Sequence, residues 1–265
     1  MHSVLDTYNA AGGGLTASGL SYGALFAVVP GLLLIVSLLV IVVDNRTKRE
    51  EVIAWLIHQV PPIADFAQQI VDNLADSARV GTIIGLVGFV WGASGFYLAL
   101  EGAMERSFPG PRRRDPIMGR VRGVISVAVI VGAILATFVA STLVSFLPEE
   151  VLARVGDLAG IGSPLIAIVV ASVVALIVYV MVPSDTPGWR AAFPAAVAAG
   201  IGIGLLTSLY TFLAPYLVGG FSALGTIAYV FGALIWFNWV FQILLYGAAW
   251  ARLRRDRRHA RGVPR

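Results

Sequence analysis

Six polar side chains stand inside stretches that are otherwise apolar: Tyr22, Ser94, Tyr97, Glu101, Asn238 and Gln242. Ser94, Tyr97 and Glu101 step by three and four residues, so they share one helix face. Asn238 and Gln242, four apart, share another. Phenols, amides and a hydroxyl can hydrogen-bond a polar headgroup, and a carboxylate can exchange a proton. Such groups are costly in lipid and normally face protein or a water-filled cavity. They are read as the lining of a cytoplasm-facing cavity or transport path. Glu101 has a second reading: Arg106 follows five residues later, about 7.5 Å at 1.5 Å per residue. That makes Glu101 equally a solvated or Arg-paired group at a helix end.

Other chemistry finds no support. The chain has no cysteine, so thiolate catalysis, disulfides and Cys-ligated metal are excluded. Its three histidines (His2, His58 and His259) are far apart in sequence and not at metal-ligand spacing. There is no Ser-His-Asp set, HExxH or P-loop. The GxGxG run at 200–204 lacks the strand–turn–helix context of a dinucleotide fingerprint. No catalytic, cofactor-binding or metal-binding residue is expected, and the chain is read as a non-enzyme.

The elements that must carry the polar residues are membrane spans. Of 265 residues, 58% are apolar and 13% charged, with a mean hydropathy of +0.84. A soluble domain carries about 25% charged residues, so lipid must cover most of this surface. Spans need about 20 mostly apolar residues. Six candidates meet that need, at roughly 15–43, 80–105, 121–147, 161–182, 191–214 and 223–251. The expectation is an all-α, polytopic membrane protein with six transmembrane helices. Residues 1–14 form an N-terminal lead in which GGG at 12–14 is flexible. Residues 15–251 form one membrane domain, and 252–265 a basic tail. The fifth span is the weakest, because Pro194, Gly200, Gly202 and Gly204 lower its helix propensity, and PYLVGG (215–220) breaks it from the sixth. The segment 44–79 is extracytoplasmic. Ile63, Phe66, Ile70 and Leu74 give it an amphipathic period, so short outer-face helices are expected over 50–78.

With both termini in the cytoplasm, 14 cations fall inside and 5 outside. The positive-inside rule selects that orientation. The Arg-rich tail is then a topology determinant, solvated or touching anionic lipid headgroups. The net charge of +4 does not signify nucleic-acid binding. The expected partners are membrane lipids, and the sequence does not fix an oligomeric state.

Two packing features stand out. Gly81, Gly85, Gly88, Gly92 and Gly95 step by four and three, a narrow stripe on which another helix backbone can lie closely. Gly19, Gly23 and Ala27 form a small face on the first span, its expected counterpart. Pro30 removes a backbone donor and frees the Phe26 carbonyl. A kink near 26–30, facing protein, is expected there.

Three segments together resemble the YihY/BrkB family of bacterial inner-membrane proteins, once labelled ribonuclease BN. They are SYGALFAVVPGLLLIVSLL (21–39), GTIIGLVGFVWGASGFYLALEGAMERSF (81–108) and GTIAYVFGALIWFNWVFQILLYGA (225–248). With the six-span layout, the resemblance covers most of the chain. It implies an inner-membrane protein connected with serum resistance and, through a relative, with export of a lipopolysaccharide precursor. The expected function is transport or export of a lipid or envelope component. The alternative is a non-transporting scaffold or envelope-assembly factor. Ribonuclease activity is disfavoured, since a metal-dependent nuclease needs clustered His or acidic ligands. The chain departs from the family where a Glu usually follows the sixth span's GA; Ala249 stands there. Where the family commonly has Asn after the second span, this chain has Glu105 or Arg106.

Overall fold

The computed structural model of the protein describes residues 3–42, 78–110, 168–220 and 226–260. The span expected at 121–147, and all but the last residue of the segment expected at 50–78, lie outside them. The described residues form six helices and no strand: α1 (Val4–Ala10), α2 (Gly13–Val42), α3 (Ala78–Ser107), α4 (Ile168–Met181), α5 (Trp189–Gly220) and α6 (Thr226–Ala260). Three of them, α3, α5 and α6, are long and apolar enough to cross a membrane, and α1 with the first part of α2 adds a fourth if that bent pair is one span. The described part of the fourth expected span is shorter, a 10–17-residue apolar helix.

The N-terminal lead is not featureless. Ser3 caps α1 with a reciprocal box: its hydroxyl accepts from the Asp6 amide, and the Asp6 carboxylate accepts from the Ser3 amide. The helix axis then turns by 63° at Gly12, whose φ of +66° favours glycine. Gly13 and Gly14 already belong to α2. A side chain at Gly13 would overlap the Tyr8 ring.

Two compact units divide the chain. Met1–Gly14, Leu100–Ser208 and Gln242–Arg265 form the first, and Leu15–Ala99 with Leu209–Phe241 the second.

In the second unit α2 and α3 lie antiparallel and very close. A Cβ at Gly85 would stand 2.7 Å from the Leu34 nitrogen, and one at Gly88 would stand 2.9 Å from Pro30 Cβ. At Gly92 it would overlap the Phe26 carbonyl oxygen, with Ala27 Cα at 3.0 Å. Phe96 at the next step covers Gly23. α2 is a single helix through Pro30. The carbonyl that Pro30 deprives of its donor is therefore turned against a glycine of the neighbouring helix. Gly19 and Gly95 have no atom of the described residues within 4 Å of where a Cβ would be.

The first unit is built on small residues. Ala192, Ala195, Ala196 and Ala199 of α5 are fully buried, as are Ala248 and Ala251 of α6. Gly200 packs on the backbone of Ile168 and Ser172, Gly204 packs on Ile168, and Gly202 faces Ile243 of α6. Gly200, Gly202 and Gly204, expected to weaken the fifth span, are thus its points of close approach. α5 runs unbroken through Pro194 and through PYLVGG, where a break was expected. Tyr179 is fully buried, and its hydroxyl donates to the Leu244 carbonyl at 2.6 Å. Gly247 leaves room for that hydroxyl.

Candidate functional site

The six polar residues of the spans divide between the units. Tyr22, Ser94, Tyr97 and Asn238 belong to the second, Glu101 and Gln242 to the first.

In the second unit the Asn238 amide donates to the Ser18 hydroxyl at 3.0 Å, tying α6 to α2. Ser18 is exposed and Asn238 half-buried. Tyr22 stands one turn from Ser18 on the same α2 face and is 60% exposed. Its ring leans on Phe26, with centroids 4.6 Å apart. Ser18, Tyr22 and Asn238 form a short polar strip on α2 and α6. Ser94 does not join it. It is exposed, and its hydroxyl donates to the Trp91 carbonyl of its own helix at 2.8 Å. Trp91 beside it is 75% exposed. Ser21 spends its hydroxyl in the same way, on the Ala17 carbonyl. Tyr97, Glu101 and Gln242 are half-buried.

The first unit holds a polar cluster that sequence reasoning missed. α6 continues as helix through Arg252–Ala260, the stretch expected to be a tail. Arg255 is only 8% exposed. Its Nη1 bonds Asp185 Oδ2 at 3.1 Å, and its Nε bonds Asp256 Oδ1 at 3.1 Å. Asp185 sits in PSDTPG, the connection between α4 and α5, where Gly188 has φ +77°. Next to it, the Ser184 hydroxyl donates to Glu105 of α3 at 2.8 Å. The connection 182–188 thus holds the ends of α3 and α6. A lone Asp in a Pro- and Gly-rich turn was the only signal, and a run of arginines reads as solvated until its partner is seen.

A third contact fixes the N-terminus. Tyr8 of α1 stacks on Tyr246 of α6, with ring centroids 3.9 Å apart and planes 13° apart.

Against known proteins, the family model described as virulence factor BrkB matches residues 4–265. The chain belongs to the BrkB family. No curated protein and no solved structure matches. The family match and the apolar helices together make this BrkB-family chain a membrane protein. Two of its departures from the family pattern have structural settings. Ala249, where a family Glu is usual, is buried, and Glu105 takes the Ser184 hydrogen bond.

Proposed function

We propose that this BrkB-family protein is a six-span cytoplasmic-membrane protein, both termini inside, that moves a lipid or another envelope component across the membrane. The observation that carries this reading is the Asn238–Ser18 hydrogen bond at a surface where Tyr22 is exposed beside it. Exposed polar groups in an apolar span are costly unless something polar meets them. A headgroup travelling with its chains in lipid would meet both the strip and the apolar flanks. Tyr22 and Asn238 would offer it hydrogen bonds, and no covalent chemistry is needed.

A non-transporting scaffold is the competing reading. It is favoured by the hydroxyls of Ser21, Ser94, Ser172, Thr207 and Ser208, all of which donate within their own helices. On that reading the Asn238–Ser18 bond is interhelical glue of about 1 kcal/mol.

Vesicle translocation separates the two. The full chain is reconstituted with fluorescently tailed phosphatidylglycerol or phosphatidylethanolamine, and the inner-leaflet probe reaching an external quencher is timed. Transport predicts transfer well above protein-free vesicles and a loss of roughly tenfold in Asn238→Leu, the size of one or two lost polar contacts. Transfer at the protein-free rate with both probes supports the scaffold.

A further inference from the structure

We infer that the Trp250–Arg254–Arg257–Arg258 face of α6 is a binding site for the phosphate of an anionic glycerophospholipid in the leaflet it adjoins. α6 has 35 residues, about 52 Å at 1.5 Å per residue, against a hydrocarbon core of about 30 Å. Its last turns must therefore leave the apolar layer, and Arg252–Ala260 is the polar end. Five arginines crowd residues 252–258 with one acid, Asp256.

The arginines are not equivalent. Arg255 is turned to Asp185 and Asp256, and Arg252 reaches Asp256 at 3.9 Å. Arg254, Arg257 and Arg258 have no carboxylate partner among the described residues. They follow Trp250 at four, seven and eight residues, which puts all four side chains on one face. The Arg254 guanidinium lies over the Trp250 ring, 5.5 Å from its centroid. Its Nε is buried with no hydrogen-bond partner among the described residues. Stacking on the indole holds the guanidinium in place and keeps it near an apolar surface.

Depth agrees with this assignment. Tryptophan prefers the headgroup boundary. Arg254 stands one turn beyond it, about 6 Å along the axis, within a headgroup layer of about 5–7 Å per side. A guanidinium at that level presents a planar fork to a phosphate. Arg257 is exposed and Arg258 half-buried on the next turn, where they add attraction to neighbouring anionic lipids, roughly fivefold per cation.

This site does not depend on translocation: a protein that fails the vesicle assay can still hold the lipid here, and the reverse. The test is native mass spectrometry of the full chain released from micelles containing equal phosphatidylglycerol and phosphatidylcholine. The wild type is expected to retain phosphatidylglycerol at least tenfold over phosphatidylcholine. Arg254→Gln/Arg257→Gln/Arg258→Gln is expected to fall to near parity with its lipid-free melting temperature unchanged. Should the triple variant fold poorly, Arg257→Gln alone, at an exposed position, is expected to lose several-fold. Arg46→Gln/Lys48→Gln/Arg49→Gln, which removes three cations elsewhere, should keep the preference. Equal retention by wild type and the 254/257/258 variants overturns the assignment. So does full displacement of the lipid by millimolar inorganic phosphate, which would mark a free-anion site.

Discussion

Gly92→Leu is expected to abolish the native pairing of α2 with α3, leaving protein that aggregates on extraction. The milder Gly92→Ala is expected to lower stability by about 1–3 kcal/mol, the usual cost of forcing atoms into a filled space. The reason is local. A Cβ at position 92 meets the Phe26 carbonyl and the Ala27 Cα, which are backbone atoms and cannot rotate away. Gly95, three residues on, is the matched control. Open space surrounds it, and alanine in a helix is favoured over glycine by about 0.5–1 kcal/mol. Gly95→Ala should therefore raise the melting temperature slightly, where Gly92→Ala lowers it by several degrees. Thermal unfolding of the purified proteins in one detergent reads both. Equal effects at the two positions would show that the seam is not set by the Gly92 contact.

The second large effect lies at Asp185. Removing its carboxylate in Asp185→Ala leaves the Arg255 guanidinium buried with Asp256 as its one ionic partner among the described residues. Breaking a buried pair from one side costs about 3–5 kcal/mol. Partial exposure of both side chains, 9% and 17%, places the expected loss at the lower end of that range. The double replacement Asp185→Leu/Arg255→Met removes both charges, and it should be less destabilised than Asp185→Ala. That non-additivity distinguishes an ion pair from two independent surface residues. If the double variant is no more stable than Asp185→Ala, Arg255 is held by something other than Asp185.

Much of the second unit was legible beforehand. Glycines stepping by four and three mark a face where backbones can approach, and Gly85, Gly88 and Gly92 do lie against α2. The period could not say where the seam ends. Among the described residues Gly95 has no neighbour within 4 Å of where a Cβ would be, although Phe96 beside it still packs on Gly23, so it faces away from the line of contact with α2. The α1 helix was legible in principle from Ser3 and Asp6, but GGG drew attention as a flexible lead. Ser94 misleads for a physical reason. A serine in an apolar helix can satisfy itself on the carbonyl of the preceding turn, so its spacing with Tyr97 and Glu101 does not mean that its donor is available. The Asp185–Arg255 pair was not legible, because 70 residues separate partners whose local contexts are a turn and a charge run.

The claim of a headgroup-accessible polar strip is tested most directly by cysteine accessibility, which the Cys-free chain permits without background. Single cysteines at Tyr22 and Asn238 are compared with one at Ala27, buried in the second unit, in sealed inverted vesicles with a small membrane-impermeant thiol reagent. Positions 97, 101 and 242 complete the set. The account predicts labelling at 22 and 238 from the cytoplasmic side, and none at 27. Silence at both 22 and 238 would contradict it.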